Sequence, residues 1–392
     1  MTNKVVLKRP PQGALRFGHP WIYKDQIKDV ASGAVAGDIV RVMTETDKYL
    51  GTAYWNPKSE ISLRLLTRKE ESVDKVFFKA RFEKALAYRQ AIVKDTNSFR
   101  LISSEADSMP GLIVDKYDDV LVVQFLTMGM DKLKETILSA LSETVPNRGI
   151  YERSDSSVRK LEGIPERAGW VGKPGPDEVI LREKDIEIAL SFGAGHKTGW
   201  YLDQRENRFF LRSLGLTGKA LDVFCYEGGF GLQLAKGGMQ VTGIDSQRDA
   251  LERADLHRKR NGLSEEALSF IEGNAFDVLK DIEKSGDKHD LVILDPPSFA
   301  KQKSALESAM SGYKELVLRA CKILKDGGSL AVFSCAYHVD DKALMQACMS
   351  AARDARRSLR LEKFMKQAAD HPIDPFIGET YYLKGFLFRV TD

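Results

Sequence analysis

The sequence lacks several features that would assign it to a specialised class of protein. Four cysteines occur among 392 residues and none forms a C-x-x-C pair, so neither a disulfide framework nor a zinc site is expected. No apolar run approaches the length of a membrane span, and the N-terminus, MTNKVVLKRPPQG, has no apolar signal core. We therefore expect a cytoplasmic, globular protein without a bound metal and without a membrane partner.

The net charge of the chain is also small, but the charged residues are unevenly distributed. The whole chain carries a formal net charge of +3, whereas residues 1–70 hold 12 Lys and Arg against 7 Asp and Glu. A basic segment ahead of a neutral body is typical of a polyanion partner such as nucleic acid. Ordinary surface variation explains the same numbers, so charge alone leaves both interpretations open.

The first part of the chain, residues 1–72, is predicted to form a small β-barrel. Turn-forming segments, TETDK and NPKS, separate short β-like runs. These runs are GDIVRVM (37–43), YLGTAYW (49–55) and EISLRLL (60–66). Small barrels of such strands often hold RNA.

Residues 73–190 are predicted to form a central α+β domain. Phe78, Phe82 and Leu86 recur at helical spacing, which predicts an amphipathic helix over 73–94. Two β-rich runs around KYDD and two around REKD predict hairpins that flank further helical sequence. These hairpins cover 111–125 and 178–192, with a helix near 130–144 and a strand at GIYERS. No catalytic constellation is evident there, so we expect a spacer or a substrate platform.

Residues 191–392 alternate between apolar runs and helical segments, which predicts an α/β fold with a parallel sheet covered on both faces. The predicted strands are 220–226, 239–245, 267–274, 289–295 and 328–335, and the predicted helices are 230–237, 247–261, 275–284 and 305–325. Ligands bind beyond the carboxyl ends of such strands. Asp245, Asn274, Asp295 and Cys335 all stand at those ends.

A cofactor site is predicted at the carboxyl ends of the first three strands, 220–226, 239–245 and 267–274. LDVFCYEGGFG reads as strand, glycine turn and helix, but it is neither G-x-G-x-x-G nor a P-loop. Asp245 can accept hydrogen bonds from ribose hydroxyls, and Ser246 with Asp249 resembles a capping box for the next helix. Asn274 can accept from an adenine amino group. An adenosine without a pyrophosphate favours S-adenosylmethionine (SAM) over NAD.

Several segments together resemble one known family. These are HKTGWYLDQRENR (196–208), LDVFCYEGGFGLQLAKGG, VTGIDSQRDAL, ILDPPSFAK, FSCAYH and FMKQAADHPIDPFIGETYYLKGF (364–386). They look like the class I SAM-dependent methyltransferases with an N-terminal PUA domain that form 5-methylcytosine in large-subunit (23S) ribosomal RNA. The resemblance covers essentially the whole chain and is looser in the first seventy residues. At the adenine position the family leads us to expect Asp, whereas this sequence has Asn274.

This resemblance implies a PUA-like RNA-binding barrel (1–72), a central α+β domain (73–190) and a Rossmann-like class I methyltransferase domain (191–392). It also implies ribosomal RNA as partner, and a homodimer becomes an expectation because the family contains dimers. One segment is then interpreted as a lid over the amino-acid end of SAM, with Gln204 or Arg205 near its carboxylate; its polar residues are His196, Lys197, Tyr201, Asp203, Gln204 and Arg205. The alternative is a polar helix cap with Trp200 and Leu202 tucked inward. The residues predicted to bind the cofactor are Gln204, Arg205, Asp222, Phe224, Tyr226, Gly228, Asp245, Ser246, Asn274, Ala275 and Asp295.

Methylation of pyrimidine carbon 5 needs a thiolate on carbon 6, a group at ring nitrogen 3 and a base for the carbon 5 proton. Cys335 is predicted as the nucleophile and Asp295 as the group at nitrogen 3, whereas Asp370 and Glu379 are both candidates for the base. An ordinary thiol needs roughly 2 kcal/mol to ionise at neutral pH. His338 or the N-terminus of a helix near Asp340 are the candidates that supply it.

Two properties of cysteine and of the DPP motif keep alternatives open. Cysteine is often buried, and Cys225, Cys321 and Cys348 are predicted as core residues. Cys335 differs from them because it stands at a strand end. DPPSF also resembles the motif of adenine-N6 methyltransferases, which need no cysteine, and 5-methyluracil formation uses the same thiol chemistry. A non-catalytic RNA-binding protein is the remaining alternative.

Overall fold

The computed structural model describes residues 3–192, 199–299 and 306–392, and the chain divides into two compact units. The first unit contains Met1–Lys184, Ala189–Leu202 and Ala369–Thr380, and the second contains Asp185–Ile188, Asp203–Ala368 and Tyr381–Asp392. Among the described residues, no helix combines the length and the apolar character that crossing a membrane requires. The division into three domains stays a prediction.

Six short strands form the first sheet of the first unit. They are β1 (Asn3–Leu7), β2 (Trp21–Ile22), β3 (Ile27–Val30), β4 (Ile39–Met43), β5 (Tyr49–Trp55) and β6 (Leu63–Thr67), with the short helix α1 (Gly13–Arg16) after β1. Their order is β2-β6-β5-β4-β1-β3, and only the β1–β4 pair is parallel. The three strands predicted from the turn spacing are confirmed as β4, β5 and β6. Val5, Val40 and Leu63 lie in the core of this sheet.

A second sheet of the first unit packs against helices. Its elements are α2 (Lys75–Ile92), β7 (Ser98–Ser103), β8 (Leu112–Tyr117), β9 (Val120–Phe125), α3 (Met128–Lys132), α4 (Lys134–Thr144), β10 (Gly149–Ser154), α5 (Val158–Glu162) and β11 (Arg167–Trp170). The strand order is β11-β10-β9-β8-β7, and β12 (Glu178–Glu183) pairs with β13 (Ile186–Ser191) in a separate sheet. The predicted helix and both hairpins are confirmed. Asp74 caps α2 by accepting from Phe77 N at 3.1 Å, and Phe78 and Phe82 are fully buried.

The second unit is built around a seven-stranded sheet with helices between its strands. Its elements are α6 (Arg205–Ser213), β14 (Lys219–Val223), α7 (Gly229–Lys236), β15 (Gln240–Asp245), α8 (Arg248–Arg260), β16 (Leu268–Glu272), α9 (Ala275–Ser285), β17 (His289–Leu294), α10 (Leu306–Ile323), β18 (Leu324–Ser334), α11 (Asp341–Asp354), β19 (Ser358–Lys366) and β20 (Lys384–Thr391). The order is β16-β15-β14-β17-β18-β20-β19. All five strands predicted for this part are confirmed.

The sheet is mixed rather than wholly parallel, which corrects the prediction from the sequence. β16, β15, β14, β17 and β18 run parallel, whereas β20 is antiparallel to β18 and β19 is antiparallel to β20. β20 enters the sheet beside β18 from the opposite direction, so its first residue, Lys384, pairs with Ser334 at the end of β18.

The register aligns the strand ends that carry the predicted site. Val223 pairs with Leu294, and Leu294 pairs with Val332. The strand order reverses between β14 and β17, because consecutive strands lead away from β14 in one direction and from β17 in the other. A crevice beyond such a switch point is where open α/β sheets bind ligands. Leu221, Val292 and Val332 belong to the buried core beneath it, so the rim stands on a rigid base.

Candidate active site

The turn after β14 holds the backbone in an unusual conformation. Phe224, Tyr226 and Gly228 all have positive φ, at 66°, 52° and 81°. For the two aromatic residues this conformation costs of order 1–3 kcal/mol each. The backbone amides of Phe224 and Cys225 both donate to Ile244 O, at 2.8 and 3.0 Å, which holds the turn against β15. Three of the residues predicted to bind the cofactor therefore form one strained turn at the start of α7.

Asp222 supports this turn from below. Its Oδ2 accepts from Gly231 N at 2.9 Å, and its Oδ1 is buried without a hydrogen-bond partner in the described part of the chain. Burial raises the pKa of Asp222 to about 7, the Asp245 carboxylate adds to the rise, and the Gly231 amide opposes it. An unpartnered buried oxygen is costly, so Asp222 Oδ1 is a natural acceptor for a donor group of a ligand.

Asp245 ends β15, as predicted, and both its carboxylate oxygens are engaged by backbone amides. Oδ2 accepts from Tyr226 N and Oδ1 from Gln247 N, each at 2.9 Å. A carboxylate has about four acceptor positions, so two remain for hydroxyl donors. The capping box predicted for Ser246 and Asp249 is wrong. The N-cap of α8 is Gln247, one residue later than predicted, it makes no side-chain capping hydrogen bond, and Ser246 is exposed.

Asn274 begins α9 rather than only ending β16. Its Oδ1 accepts from Phe276 N at 2.9 Å and so caps the helix, while Ala275 is buried as the first helical residue. The cap uses one acceptor position of the amide oxygen, the group predicted to meet an adenine amino group. The two amide hydrogens of Asn274 are the part of the side chain that this cap leaves available to an adenine ring nitrogen.

Gln204 is bound to the candidate catalytic acid instead of standing open to the solvent. Its Nε2 donates to Asp295 Oδ2 at 3.0 Å, and its Oε1 accepts from Asn207 Nδ2 at 2.6 Å. Gln204 and Arg205 are almost fully buried, as are Trp200 and Leu202, which confirms the inward direction predicted for the last two. His196 and Lys197, which were predicted to belong to the same lid, lie outside the described residues.

Asp295 follows β17 and has a strongly perturbed acidity. Burial raises the pKa of its carboxyl to about 7, the Asp203 and Asp222 carboxylates add to the rise, and the Gln204 hydrogen bond opposes it. A carboxyl with a pKa near neutrality can donate a proton or accept one at physiological pH. Asp295 therefore has the acidity that a group at a ring nitrogen requires.

Cys335 follows β18 and is the exposed one of the four cysteines, whereas Cys225, Cys321 and Cys348 are buried as predicted. Desolvation of the sulfur raises the pKa of the Cys335 thiol to about 11, and the Asp295 and Asp203 carboxylates add to the rise. Lys384 opposes them. The expectation of a thiol activated by its surroundings is therefore wrong for the protein without ligands. Asp340 caps α11, its Oδ1 accepting from Ala343 N at 2.7 Å, so an acid occupies that helix end.

Two side chains at this rim were not predicted as site residues. The sequence predicts Asp203 only as part of a lid and predicts no role for Tyr382. The Tyr382 hydroxyl donates to Asp203 Oδ2 at 2.8 Å. Both residues stand in segments that carry the family resemblance, YLDQRENR and GETYY, and that is the one signal in the sequence that marks them.

The two candidates for the base, Asp370 and Glu379, belong to the first unit and have partners there. Asp370 is fully buried, and its Oδ2 accepts from Arg100 N at 2.9 Å. Glu379 Oε2 lies 3.0 Å from His19 Nε2. Both contacts account for these acids as structural groups, and their role as base stays a prediction. In the described ranges, no group of three His, Cys, Asp or Glu side chains is arranged to hold a metal ion.

Comparison with solved structures supports the fold over the whole length of the chain. A putative SAM-dependent methyltransferase from Streptococcus mutans superposes with a TM-score of 0.83, at 21% identity, over 99% of this chain and 100% of that chain. A putative methyltransferase complexed with SAH superposes with a TM-score of 0.82, also at 21% identity, over 99% and 100% of the two chains. At this identity the likeness concerns the fold alone.

Comparison with protein sequences identifies the family as well as the fold. A PUA-like domain matches residues 5–68, and the S-adenosylmethionine-dependent methyltransferase family matches residues 157–389. Proteins named ribosomal RNA large subunit methyltransferase I are 37% identical in Tolumonas auensis, over 99% of this chain and 100% of the relative, and in Vibrio cholerae, over 100% of both. The chain therefore belongs to the S-adenosylmethionine-dependent methyltransferase family, with a PUA-like domain ahead of its Rossmann-like fold, and SAM is its cofactor.

Proposed function

We propose that this protein forms 5-methylcytosine in large-subunit ribosomal RNA through a covalent adduct on Cys335. Ribosomal RNA as substrate is supported by the names of the full-length relatives. The observation that carries the chemistry is the position of Cys335, an exposed thiol one residue beyond β18, on the rim where Asp295 follows the neighbouring strand β17. Cytoplasmic location and a homodimer stay predictions.

The residues at the carboxyl ends of β14 and β15 fit the methyl donor. Asp245 keeps two acceptor positions for the ribose hydroxyls, and the turn at Gly228 brings backbone close to a ligand. Asp222 Oδ1, buried and unpartnered among the described residues, offers an acceptor beneath this turn. When bound, SAM supplies an electrophilic methyl group, and the protein has to bring a nucleophilic carbon to it.

Carbon 5 of cytosine becomes that nucleophile only after the ring is activated. The Cys335 thiolate adds to carbon 6, and Asp295 donates a hydrogen bond or a proton to nitrogen 3, which stabilises the electron-rich ring. The pKa of Asp295, near 7, suits this role because the carboxyl is partly protonated at neutral pH. Cys335 and Asp295 therefore activate the same ring, the first at carbon 6 and the second at nitrogen 3.

Ionisation of Cys335 is the costly part of this scheme, because desolvation of the sulfur, with a contribution from the Asp295 and Asp203 carboxylates, raises the pKa of the thiol to about 11. A positive charge brought beside Asp295 and Asp203 offsets these carboxylates, and protonation of Asp295 removes one of them. The thiol is therefore expected to become reactive only in the loaded active site. That arrangement protects an exposed cysteine from unwanted reactions in the absence of substrate.

The product identifies the reaction. Ribosomal RNA lacking this modification is incubated with the protein and methyl-labelled SAM, digested to nucleosides and analysed by mass spectrometry. We expect the label in 5-methylcytidine. Label in 5-methyluridine would keep the thiol chemistry but change the base, label in N6-methyladenosine would make DPPSF the catalytic motif, and the absence of label would favour a protein that only binds RNA.

A further inference from the structure

Asp203 is held in place by two hydrogen bonds within the second unit. It belongs to a short 3-10 turn, Leu202–Gln204, directly before α6. The Tyr382 hydroxyl donates to its Oδ2 at 2.8 Å, and Ala368 N donates to its backbone oxygen at 2.8 Å. A carboxylate fixed at both the side chain and the backbone has a defined direction, which a catalytic group needs.

The same contacts lead from Asp203 to both proposed catalytic residues. Gln204, the next residue, donates to Asp295 at 3.0 Å. On the other side, Lys384 Nζ donates to Tyr382 O at 3.2 Å, and Lys384 pairs with Ser334, the residue before Cys335. The Asp203 charge contributes to the raised pKa values of Asp295 and Cys335, as expected of a carboxylate close to both.

One carboxylate oxygen of Asp203 makes no hydrogen bond with the described residues. Oδ2 holds Tyr382, whereas Oδ1 is buried and finds no hydrogen-bond partner among the described residues. Leaving such an oxygen without a partner costs of order 1–3 kcal/mol. Unsatisfied groups of this kind concentrate at functional sites, where the ligand completes them.

We propose that Asp203 is the base that removes the carbon 5 proton, an inference that rests on the proposed function. The thiolate of Cys335 bonds to carbon 6, and carbon 5 then takes the methyl group as the sulfonium–methyl bond breaks, which leaves S-adenosylhomocysteine. Asp203 accepts the proton from carbon 5. The electron pair of that C–H bond forms the C5–C6 double bond, the C6–S bond breaks, and Cys335 leaves as thiolate, while nitrogen 3 returns to Asp295 any proton that it has taken.

Tyr382 is the positioning residue of this step. Its hydroxyl occupies Oδ2 and leaves Oδ1 as the proton acceptor. Asp370 and Glu379 are the rival bases, and each has partners in the first unit.

The test uses Asp203→Asn in the full-length protein with ribosomal RNA and methyl-labelled SAM. Asparagine keeps the shape and an acceptor for Tyr382 but is not a base. We expect turnover to fall by about 10²–10⁴-fold, SAM affinity to be nearly unchanged, and labelled RNA to remain attached to the protein on a denaturing gel. RNA that is already methylated but still bound covalently to the protein indicates a missing base. A structural defect would instead lower the rates of adduct formation, methyl transfer and release together.

Five comparisons make the outcome decisive. Wild-type protein with 5-fluorocytidine-substituted RNA should accumulate the corresponding adduct, because carbon 5 then carries fluorine in place of the proton that the base removes. Failure to form this adduct would overturn the covalent mechanism itself, whatever Asp203 does. Tyr382→Phe should release the adduct more slowly than wild type. Asp277→Asn, which alters an exposed acid on α9, should behave as wild type. Asp370→Asn and Glu379→Gln should not accumulate methylated adduct.

The proposal is overturned if Asp203→Asn turns over normally. It is overturned equally if that variant loses SAM binding, or if the methylated adduct accumulates in Asp370→Asn or Glu379→Gln instead.

Discussion

The side-chain amide of Gln204 donates to the carboxylate of Asp295, with 3.0 Å between Nε2 and Oδ2. Gln204 is almost fully buried, and its oxygen is fixed in turn by Asn207. The segment before the first strand of the sheet thus contributes to the acidity of Asp295, at the end of the fourth strand. This hydrogen bond favours the ionised form of Asp295 and opposes the burial that disfavours it.

Gln204→Leu should therefore raise the pKa of Asp295 further above 7. The donor to the ionised carboxylate is lost while burial is kept, so the proton is held more tightly. Carbon-13 NMR titration of the aspartate carboxyls, compared between wild type and the variant, measures this directly. An unchanged or lowered pKa would show that the hydrogen bond does not control this acid.

Cys335→Ala should abolish methyl transfer and leave SAM affinity nearly unchanged, because the thiol acts on the RNA base and not on the donor. The matched control is Cys321→Ala, which removes a fully buried thiol from the core. We expect this control to lose stability and to keep turnover. Activity assays with calorimetric SAM binding separate the two, and a Cys335→Ala enzyme with wild-type turnover would contradict the covalent mechanism.

Asp245→Ala should weaken SAM binding by about 10- to 100-fold, since one or two hydrogen bonds to hydroxyls are worth about 1–3 kcal/mol. The change also frees the amides of Tyr226 and Gln247, which Asp245 holds at 2.9 Å. Asp249→Ala is the control, because Asp249 is exposed in the first turn of α8. Equal affinities of the two variants would move the ribose site elsewhere.

Asp222→Asn should stabilise the protein without ligands at pH 8 and much less at pH 5. The folded state raises the pKa of Asp222 to about 7, so between pH 4 and 7 the folded chain binds a proton that the unfolded chain has released. Stability from this group is then lost as pH rises through that window, by about 4 kcal/mol at full effect. Denaturant unfolding of both proteins at the two pH values measures it. A stabilisation independent of pH would contradict the raised pKa.

Much of the second unit is predictable because its signal is local. Buried parallel strands read as apolar runs, and β17 is a clear example, with Leu291–Leu294 fully buried. The residue after such a run stands at the carboxyl rim whatever the rest of the chain does. For that reason Asp245, Asp295 and Cys335 are assigned to one edge of the sheet from sequence alone.

The remaining features depend on contacts between distant segments. β20 joins the sheet antiparallel beside β18, and its local sequence does not reveal that partner. The Asp203–Tyr382 hydrogen bond joins residues 179 positions apart, so no local pattern indicates it. The helix cap after β15 differs from its prediction too: Ser246 matches the local pattern, but α8 begins one residue later, with Gln247 at its N-cap and the Gln247 amide bound to Asp245.

The measurement that tests the account most directly is the site of RNA attachment. Wild-type protein is allowed to react with 5-fluorocytidine-substituted ribosomal RNA and SAM, digested with protease and nuclease, and analysed by peptide mass spectrometry. The account predicts one modified peptide, containing Cys335 and carrying a methylated fluorocytidine adduct. Attachment at any other residue, or no attachment under conditions in which the enzyme methylates unsubstituted RNA, would contradict it.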